Sequence, residues 1–274
     1  MKISDESTLE NPYEMRLDDF FTEHGFKTYR AVRKLLKNKN VTVNGVRVLE
    51  PGFRLNTKRD SLSVDGESVT VSSHIYLMMN KCQGVVCTTV LDGWNKSVYS
   101  MFPEDLLHPK NLPILHSVGR LDIDTEGLLV FTTDGKLSHR LTTPESHVKK
   151  TYLVYLRDPC DEAERKRYCD TFADGNLFVK EEKRAPSFRT KPALLEWPSE
   201  EDEYCTLSGS GLTFCRLTLT EGKFHQVKRM FAAMGNEVIF LKRISMGNLF
   251  LDASLKPGEW RYLCEREILQ MQER

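Results

Sequence analysis

The run Gly119-Arg120-Leu121-Asp122-Ile123-Asp124-Thr125-Glu126-Gly127-Leu128-Leu129-Val130-Phe131 constrains the fold of this chain more than any other stretch. Leu128 to Phe131 form an apolar run that predicts a strand, and the dipeptide Asp134-Gly135 beyond it favours a tight turn. Ahead of the strand lies a polar loop holding three carboxylates and one arginine. A loop feeding directly into a strand is fixed at its base, so an acid on it keeps a defined position. Most acidic loops are simply solvated, so the rest of the chain has to say whether any of these carboxylates does chemistry.

With 274 residues, 40% of them hydrophobic, the chain can bury a core of one large unit or of a small and a medium one. Formal net charge is zero, but Met15 to Asp60 hold eleven Lys plus Arg against five Asp plus Glu. The seven cysteines, at 82, 87, 160, 169, 205, 215 and 264, are odd in number and contain no C-x2-C pair. Neither a zinc site nor a disulfide framework is expected, and a reducing cytoplasmic setting fits. Residues 1–14 are polar and acidic, unlike a signal peptide, and no 18-residue apolar span predicts a membrane crossing.

Leu17, Phe20, Phe21 and His24 recur at helical spacing up to Gly25, and a second helix is predicted from Thr28 as N-cap, with Ala31, Val32, Leu35 and Leu36 inward. Two β-branched runs around Asn44-Gly45, from Val41 to Val48, predict a hairpin. Lys27, Arg30, Arg33, Lys34, Lys37 and Lys39 lie within 13 positions with no acid among them. A single-sign stripe on so small a unit is the footprint expected of phosphate-backbone binding, against the commoner case of a solvated helix face.

Residues 60–74 close this unit and link it onward, with the boundary placed near Ser72. Ile75 to Met79 predicts a buried strand, Asp92 to Pro113 a loop, Leu137 and Leu141 a short helix ended by Pro144, and Lys149 to Leu156 a strand. A charged helix over 160–173 and several short strands from Leu177 to Leu219 follow, with an acidic loop at 196–203. Next comes a helix opened by Glu221 to His225, with Val227, Met230, Phe231 and Met234 inward and Gly235 closing it. Val238 to Leu251 and Trp260 to Leu263 predict closing strands about the Pro257-Gly258 turn. The fold class expected is α+β. His225, Lys228 and Arg229 fall off the apolar stripe of the Glu221 helix, near a helix start able to meet an anion.

Gly119-Arg-Leu-Asp-x-Asp-Thr-x-Gly-Leu, Lys150-Thr-Tyr-Leu-Val, Thr190-Lys-Pro-Ala, Glu221 through Gly235-Asn236, and Leu255-x-Pro-Gly-Glu-x-Arg occur in this order. Together they resemble the family of the ribosomal small subunit pseudouridine synthases A over nearly the whole chain. The N-terminal basic unit, with Val-Thr-Val-Asn-Gly and Thr28-Tyr29-Arg30 in place of a Ser-Arg pair, resembles the S4 RNA-binding domain. The resemblance implies a polar extension over 1–14, an S4-like domain over 15–72 and a catalytic domain over 73–274, built on a mixed, mostly antiparallel sheet with flanking helices.

The implied activity is isomerisation of a uridine in small-subunit ribosomal RNA: the N1–C1′ bond breaks, the uracil turns, and C5 bonds to C1′. Such a site needs an unstacked base, a carboxylate serving the ribose and a base for the C5 proton. No cofactor or metal is implied, and the protein is expected to be a cytoplasmic monomer acting on ribosomal RNA, free or in a small-subunit assembly intermediate. By the family motif Asp122 is the essential aspartate, attacking C1′ or taking a ribose proton, while Asp124 and Glu126 are structural. Tyr152 matches the tyrosine that stacks on uracil, and Lys228 the basic residue paired with the aspartate, within roughly 4–6 Å. Arg120 is implied in splaying the nucleotide or holding its phosphate, Arg229 in holding phosphate, and Leu241 in flooring the base, with His225 also on the substrate side. Lys27, Arg30, Arg33, Lys34 and Lys37 would bind RNA. Asn80-Lys81-Cys82-Gln83-Gly84 departs from the family's Asn-Lys-Pro-x-Gly, which leaves that turn less pre-set. A large-subunit ribosomal RNA synthase and a non-catalytic RNA-binding or assembly protein are the alternatives; retention of Asp122, Tyr152 and Lys228 together argues against the second.

Overall fold

A computed structural model describes residues 14–23, 28–69, 74–89, 95–107, 114–182, 185–198 and 213–272. The expected roles of His24, Gly25 and Lys27, the boundary near Ser72 and most of the acidic loop at 196–203 lie outside the described residues.

In the N-terminal unit, the helix Leu17–Glu23 packs against the helix Tyr29–Asn38 and a four-stranded sheet built from Val41–Val43, Val46–Arg47, Leu62–Val64 and Glu67–Val69. Leu17, Phe20, Val32, Leu36, Val41, Leu55 and Leu62 fill its core. The second helix starts where its sequence asks: the Thr28 hydroxyl accepts from the Ala31 N–H at 3.2 Å. Asn44 and Gly45 both take positive φ, 52° and 78°, the backbone that a two-residue hairpin of this twist requires. Arg30, Arg33, Lys34 and Lys37 all face solvent on the second helix.

The remainder is organised by one nine-stranded sheet. Its main path runs Leu194–Glu196, Thr213–Leu219, Lys150–Leu156, Val238–Met246, Glu126–Thr132, Tyr76–Lys81 and Trp260–Tyr262; His116–Ser117 and Leu249–Phe250 pair at its sides. Glu126–Thr132 runs parallel to Val238–Met246, and every other pairing in this sheet is antiparallel. Both faces are covered. On one, Tyr168 and Phe172 of the helix Glu162–Asp174 and Met230 and Phe231 of the helix Gln226–Ala233 pack on Val154, Leu217 and Leu241. The other central core gathers Met78, Leu128 and Val130 under Leu137, Leu141, Ile268 and Met271. Leu128 to Phe131 are fully buried, as befits a strand sandwiched from both sides.

Three local readings change. Asp134-Gly135 makes no hairpin turn: Asp134 is the N-cap of the helix Gly135–Thr142, its carboxylate accepting from the Leu137 N–H at 2.9 Å. An Asp before a helix-compatible run suits a cap as well as it suits a turn. Within the stretch read as loop from Asp92 to Pro113, the described residues include the strand Lys96–Ser97, a 3-10 turn over Val98–Met101 and the helix Glu104–Leu107. The helix expected to open at Glu221 begins at Gln226, because Gln226 Oε1 accepts from the Lys223 N–H and its amide donates to Glu221, which holds 221–225 as an irregular lead.

Candidate active site

Asp122 stands where the sheet's parallel pair begins. Glu126 and Gly127 pair with Lys242 and Arg243, so the loop 119–125 emerges at one end of the strand pair. Gly127 has φ 102°, and a Cβ there would collide with the Arg243 backbone, so only glycine lets the strands approach this closely. The loop itself is gripped from below. Lys81 is fully buried, and its ammonium donates to the carbonyls of Asp122 at 2.9 Å, Thr125 at 2.9 Å and Cys82 at 3.1 Å. Burial lowers the pKa of this lysine; nearby thiols and the Asp122 and Asp124 carboxylates push the other way. The loop is also tied through the Gly84 N–H, which donates to the Ile123 carbonyl at 2.8 Å.

The Asp122 side chain, about one third exposed, has His225 Nε2 at 3.8 Å and Lys228 Nζ at 4.0 Å. Both side chains come from the start of the helix Gln226–Ala233, with His225 at its N-cap in the left-handed conformation (φ 48°) and stacked on Phe224 at 3.7 Å between ring centroids. The closer partner of Lys228 is Asp124, to which it donates a hydrogen bond. Burial raises the Asp124 carboxyl, but the hydrogen bond and charge of Lys228 outweigh it, and the net shift is downward. Lys228 therefore bridges two acids of the loop, and Asp124 orients the lysine that faces Asp122.

These groups border a cleft of about 570 Å³. Arg120, Asp122, Tyr152, His225 and Leu241 line it, Arg120 exposed, Tyr152 half-buried and Leu241 buried, while Lys228 reaches it through Asp122. Tyr152 stands in register with Arg243 on the neighbouring strand, so the aromatic ring, Leu241 and the loop converge from three segments distant in sequence. Arg229 is a correction. It is 6% exposed, donates to the carbonyls of Lys180 at 2.7 Å and Pro186 at 2.8 Å, and lies over the Phe188 ring. Its guanidinium ties Lys180 and Pro186 to the helix and is not directed at a substrate phosphate: successive helical residues face different sides, and Lys228 takes the cleft side.

Several residues of the site were not singled out by sequence reasoning. Lys81 lies inside a quoted stretch and Arg243 in a predicted strand, but nothing local in the sequence signals that their side chains turn to the loop and the cleft. Lys150, also in the cleft, stands in a predicted strand and opens the Lys150-Thr-Tyr-Leu-Val motif, without a role of its own in the sequence reading.

The profile of the RNA pseudouridylate synthase family matches residues 75–233, and that of the S4 domain matches residues 15–60. A ribosomal small subunit pseudouridine synthase A of Pasteurella multocida (strain Pm70) is 41% identical over 255 residues, 93% of this chain and 98% of the relative. The chain belongs to the RNA pseudouridylate synthase family. The protein of the same name from Escherichia coli (strain K12) is 39% identical over 93% of this chain and 98% of its own, and an uncharacterised RNA pseudouridine synthase of Bacillus subtilis (strain 168) is 37% identical over 93% and 97%. A crystal structure of a pseudouridylate synthase superposes with a TM-score of 0.60 at 36% identity, covering 94% of this chain and 99% of the other. The enzyme is thus an RNA pseudouridine synthase, an isomerase whose N-terminal S4 domain points to RNA binding. Among the described residues no cluster of His, Cys, Asp or Glu is arranged to hold a metal ion, and no helix is long and apolar enough to cross a membrane.

Proposed function

We propose that this enzyme isomerises a uridine of small-subunit ribosomal RNA to pseudouridine, with Asp122 as the essential carboxylate. The observation that carries the reading is the convergence of Asp122, its neighbours His225 and Lys228, and Tyr152 on one cleft beside Leu241. A flipped uridine has a flat apolar face to stack and a ribose carbon to be served by an anion, and the cleft offers an aromatic ring, an apolar wall and a carboxylate. Asp122 acts on the ribose, by attack at C1′ or by removing a ribose proton; Tyr152 stacks on the uracil and assists loss of the C5 proton; Lys228 pairs with the Asp122 carboxylate. Arg120, exposed at the cleft, contacts the splayed nucleotide. The relatives named above as small-subunit synthases match nearly their full length, which favours that subunit over the large one.

Two units divide the work, an S4-like domain over 15–72 whose Arg30, Arg33, Lys34 and Lys37 face meets the RNA backbone, and a catalytic domain over 73–274. The enzyme works as a cytoplasmic monomer on ribosomal RNA, free or in a small-subunit assembly intermediate. The test is tritium release from C5-labelled uridine in small-subunit and large-subunit ribosomal RNA, each as free transcript and as partly assembled particle. Wild-type protein is expected to release tritium from the small-subunit substrate, and Asp122→Asn to bind the same RNA and release none. Normal turnover by Asp122→Asn removes the central assignment, release from large-subunit RNA alone reassigns the substrate, and binding without release by the wild type makes the protein a non-catalytic RNA binder.

A further inference from the structure

Two cations of the cleft take no part in holding Asp122. Arg243 is 2% exposed; its Nε donates to the Leu128 carbonyl at 2.8 Å, and its buried Nη2 has no hydrogen-bond partner among the described residues. Lys150 lies on the adjacent antiparallel strand, two residues before Tyr152, the residue in register with Arg243, and both side chains line the cleft. The Lys150 ammonium donates to the Val148 carbonyl at 3.1 Å. A buried donor left unpaired is costly, more so when charged, and a second cation beside it adds repulsion.

The carboxylates lining the cleft, among the described residues, are Asp122 and Glu221. Glu221 is committed elsewhere: it accepts from the Lys191 N–H at 3.0 Å and from the Gln226 amide, with Lys223 Nζ at 3.3 Å. Asp122 is held between His225 and Lys228. The charged group acting on Lys150 is Arg243, and burial together with that repulsion lowers the lysine to about 8. Lys150 and Arg243 are therefore a pair of cations to which the described residues supply no counter-anion in the cleft.

We propose that Lys150 and Arg243 form the anion site for the uracil ring once its bond to the ribose has broken, the ammonium and Nη2 meeting its carbonyl oxygens. The inference rests on the uridine isomerisation proposed above. When N1–C1′ breaks, the electron pair leaves with N1 and spreads over O2 and O4. The deficit at C1′ is met by an Asp122 oxygen or by loss of a ribose proton to Asp122, and in either case the detached uracil carries one negative charge. C5 then bonds to C1′ as the Asp122–C1′ bond breaks or, on the other route, as Asp122 returns its proton to the ribose; the C5 proton leaves to a base, N1 regains a proton, and the ring is neutral again. Donors fixed in place before charge develops are worth most where water is excluded. Tyr152 and Leu241 flank the cations, and these walls suit a flat ring; a hydrated phosphate is better met by exposed Arg120.

Arg243 is buried and bonded to a strand carbonyl, so the decisive variants are at Lys150. With wild-type enzyme run in parallel, the single-turnover rate of tritium release at saturating enzyme is expected to fall about 100-fold in Lys150→Met, the scale of losing one preorganised donor. RNA affinity and its salt slope should stay within about twofold, because no backbone phosphate contact is lost. Wild-type kcat/KM should decline as pH rises through about 8, where Lys150 loses its proton, and Lys150→Arg should remain active without that alkaline decline. A Lys150→Met enzyme with unchanged rate overturns the inference, as does one whose loss lies wholly in affinity and salt slope, which would make the pair a phosphate contact. An inactive wild type defeats the isomerisation reading itself, whereas an active wild type matched by Lys150→Met defeats this inference alone.

Discussion

Arg30, Arg33, Lys34 and Lys37 stand in solvent along one helix, whereas Lys81, Lys150 and Arg243 are buried or half-buried about the cleft. In the first group the cations are close in sequence, and where hydrogen bonds or stacking occur they are local, such as Arg33 over the Tyr29 ring. In the second, Lys81 and Arg243 reach loops or strands far away in the chain, as Lys81 does to Asp122 and Arg243 to Leu128. Exposed charges separated by solvent act additively, are screened by salt and suit a polyanion of varying sequence. Buried charges have exchanged water for fixed carbonyls, so their position is part of the fold and their field is not screened away. One kind of cation supplies affinity, and the other holds geometry.

The comparison breaks most visibly at Lys81. Lys81→Met is expected to cost about 3–5 kcal/mol, because it strips the Cys82, Asp122 and Thr125 carbonyls of their common donor at a fully buried site. Urea unfolding monitored by tryptophan fluorescence measures this, and a loss below about 1 kcal/mol would mean that the loop carries itself. Gly127→Ala comes next, at about 1–3 kcal/mol, since alanine resists φ 102° and its Cβ would push the Arg243 strand away. The same variant should slow isomerisation by more than its unfolded fraction explains, because the displaced strand carries both Arg243 and Leu241.

On the exposed helix the expected effect is smaller and of another kind. Reversal of Arg30, Arg33 and Lys34 to glutamate should leave folding almost unchanged, weaken ribosomal RNA binding, and lower the slope of log K against log salt by about 2–3. Single-turnover rate at saturating RNA should hold. An unchanged slope would move RNA binding to the catalytic sheet, and a fallen single-turnover rate would mean the helix also positions the target.

How far the sequence alone reveals each region follows from the same contrast. The helix with its Thr28 cap, the Asn44-Gly45 hairpin and the basic stripe are local patterns, and each can be read within a dozen residues. The α+β sheet order with its one parallel pair depends on contacts over a hundred residues apart, and alternation alone carries no such information. The candidate site shows both limits. Asp122, Tyr152 and Lys228 were reachable through motif resemblance, but the choice between Lys228 and Arg229 depended on the helix phase relative to the cleft, which a sequence leaves ambiguous for adjacent cations. Lys81, Lys150 and Arg243 look like ordinary strand lysines and arginine until the sheet is assembled around them.

The smallest effect is expected where the two units touch. Lys136 Nζ lies 2.5 Å from an Asp19 oxygen, with 61% of the lysine and 34% of the aspartate side chain exposed. Despite the short distance this pair belongs with the exposed cations: solvent screens it, and ordering two mobile side chains offsets most of the attraction. Asp19→Asn should therefore change stability by less than about 0.5 kcal/mol and leave the salt dependence of RNA binding as it was. A larger loss, or a change in which ribosomal RNA fragment is bound, would show that this contact sets the orientation of the basic helix toward the cleft, so that affinity and geometry are coupled through it.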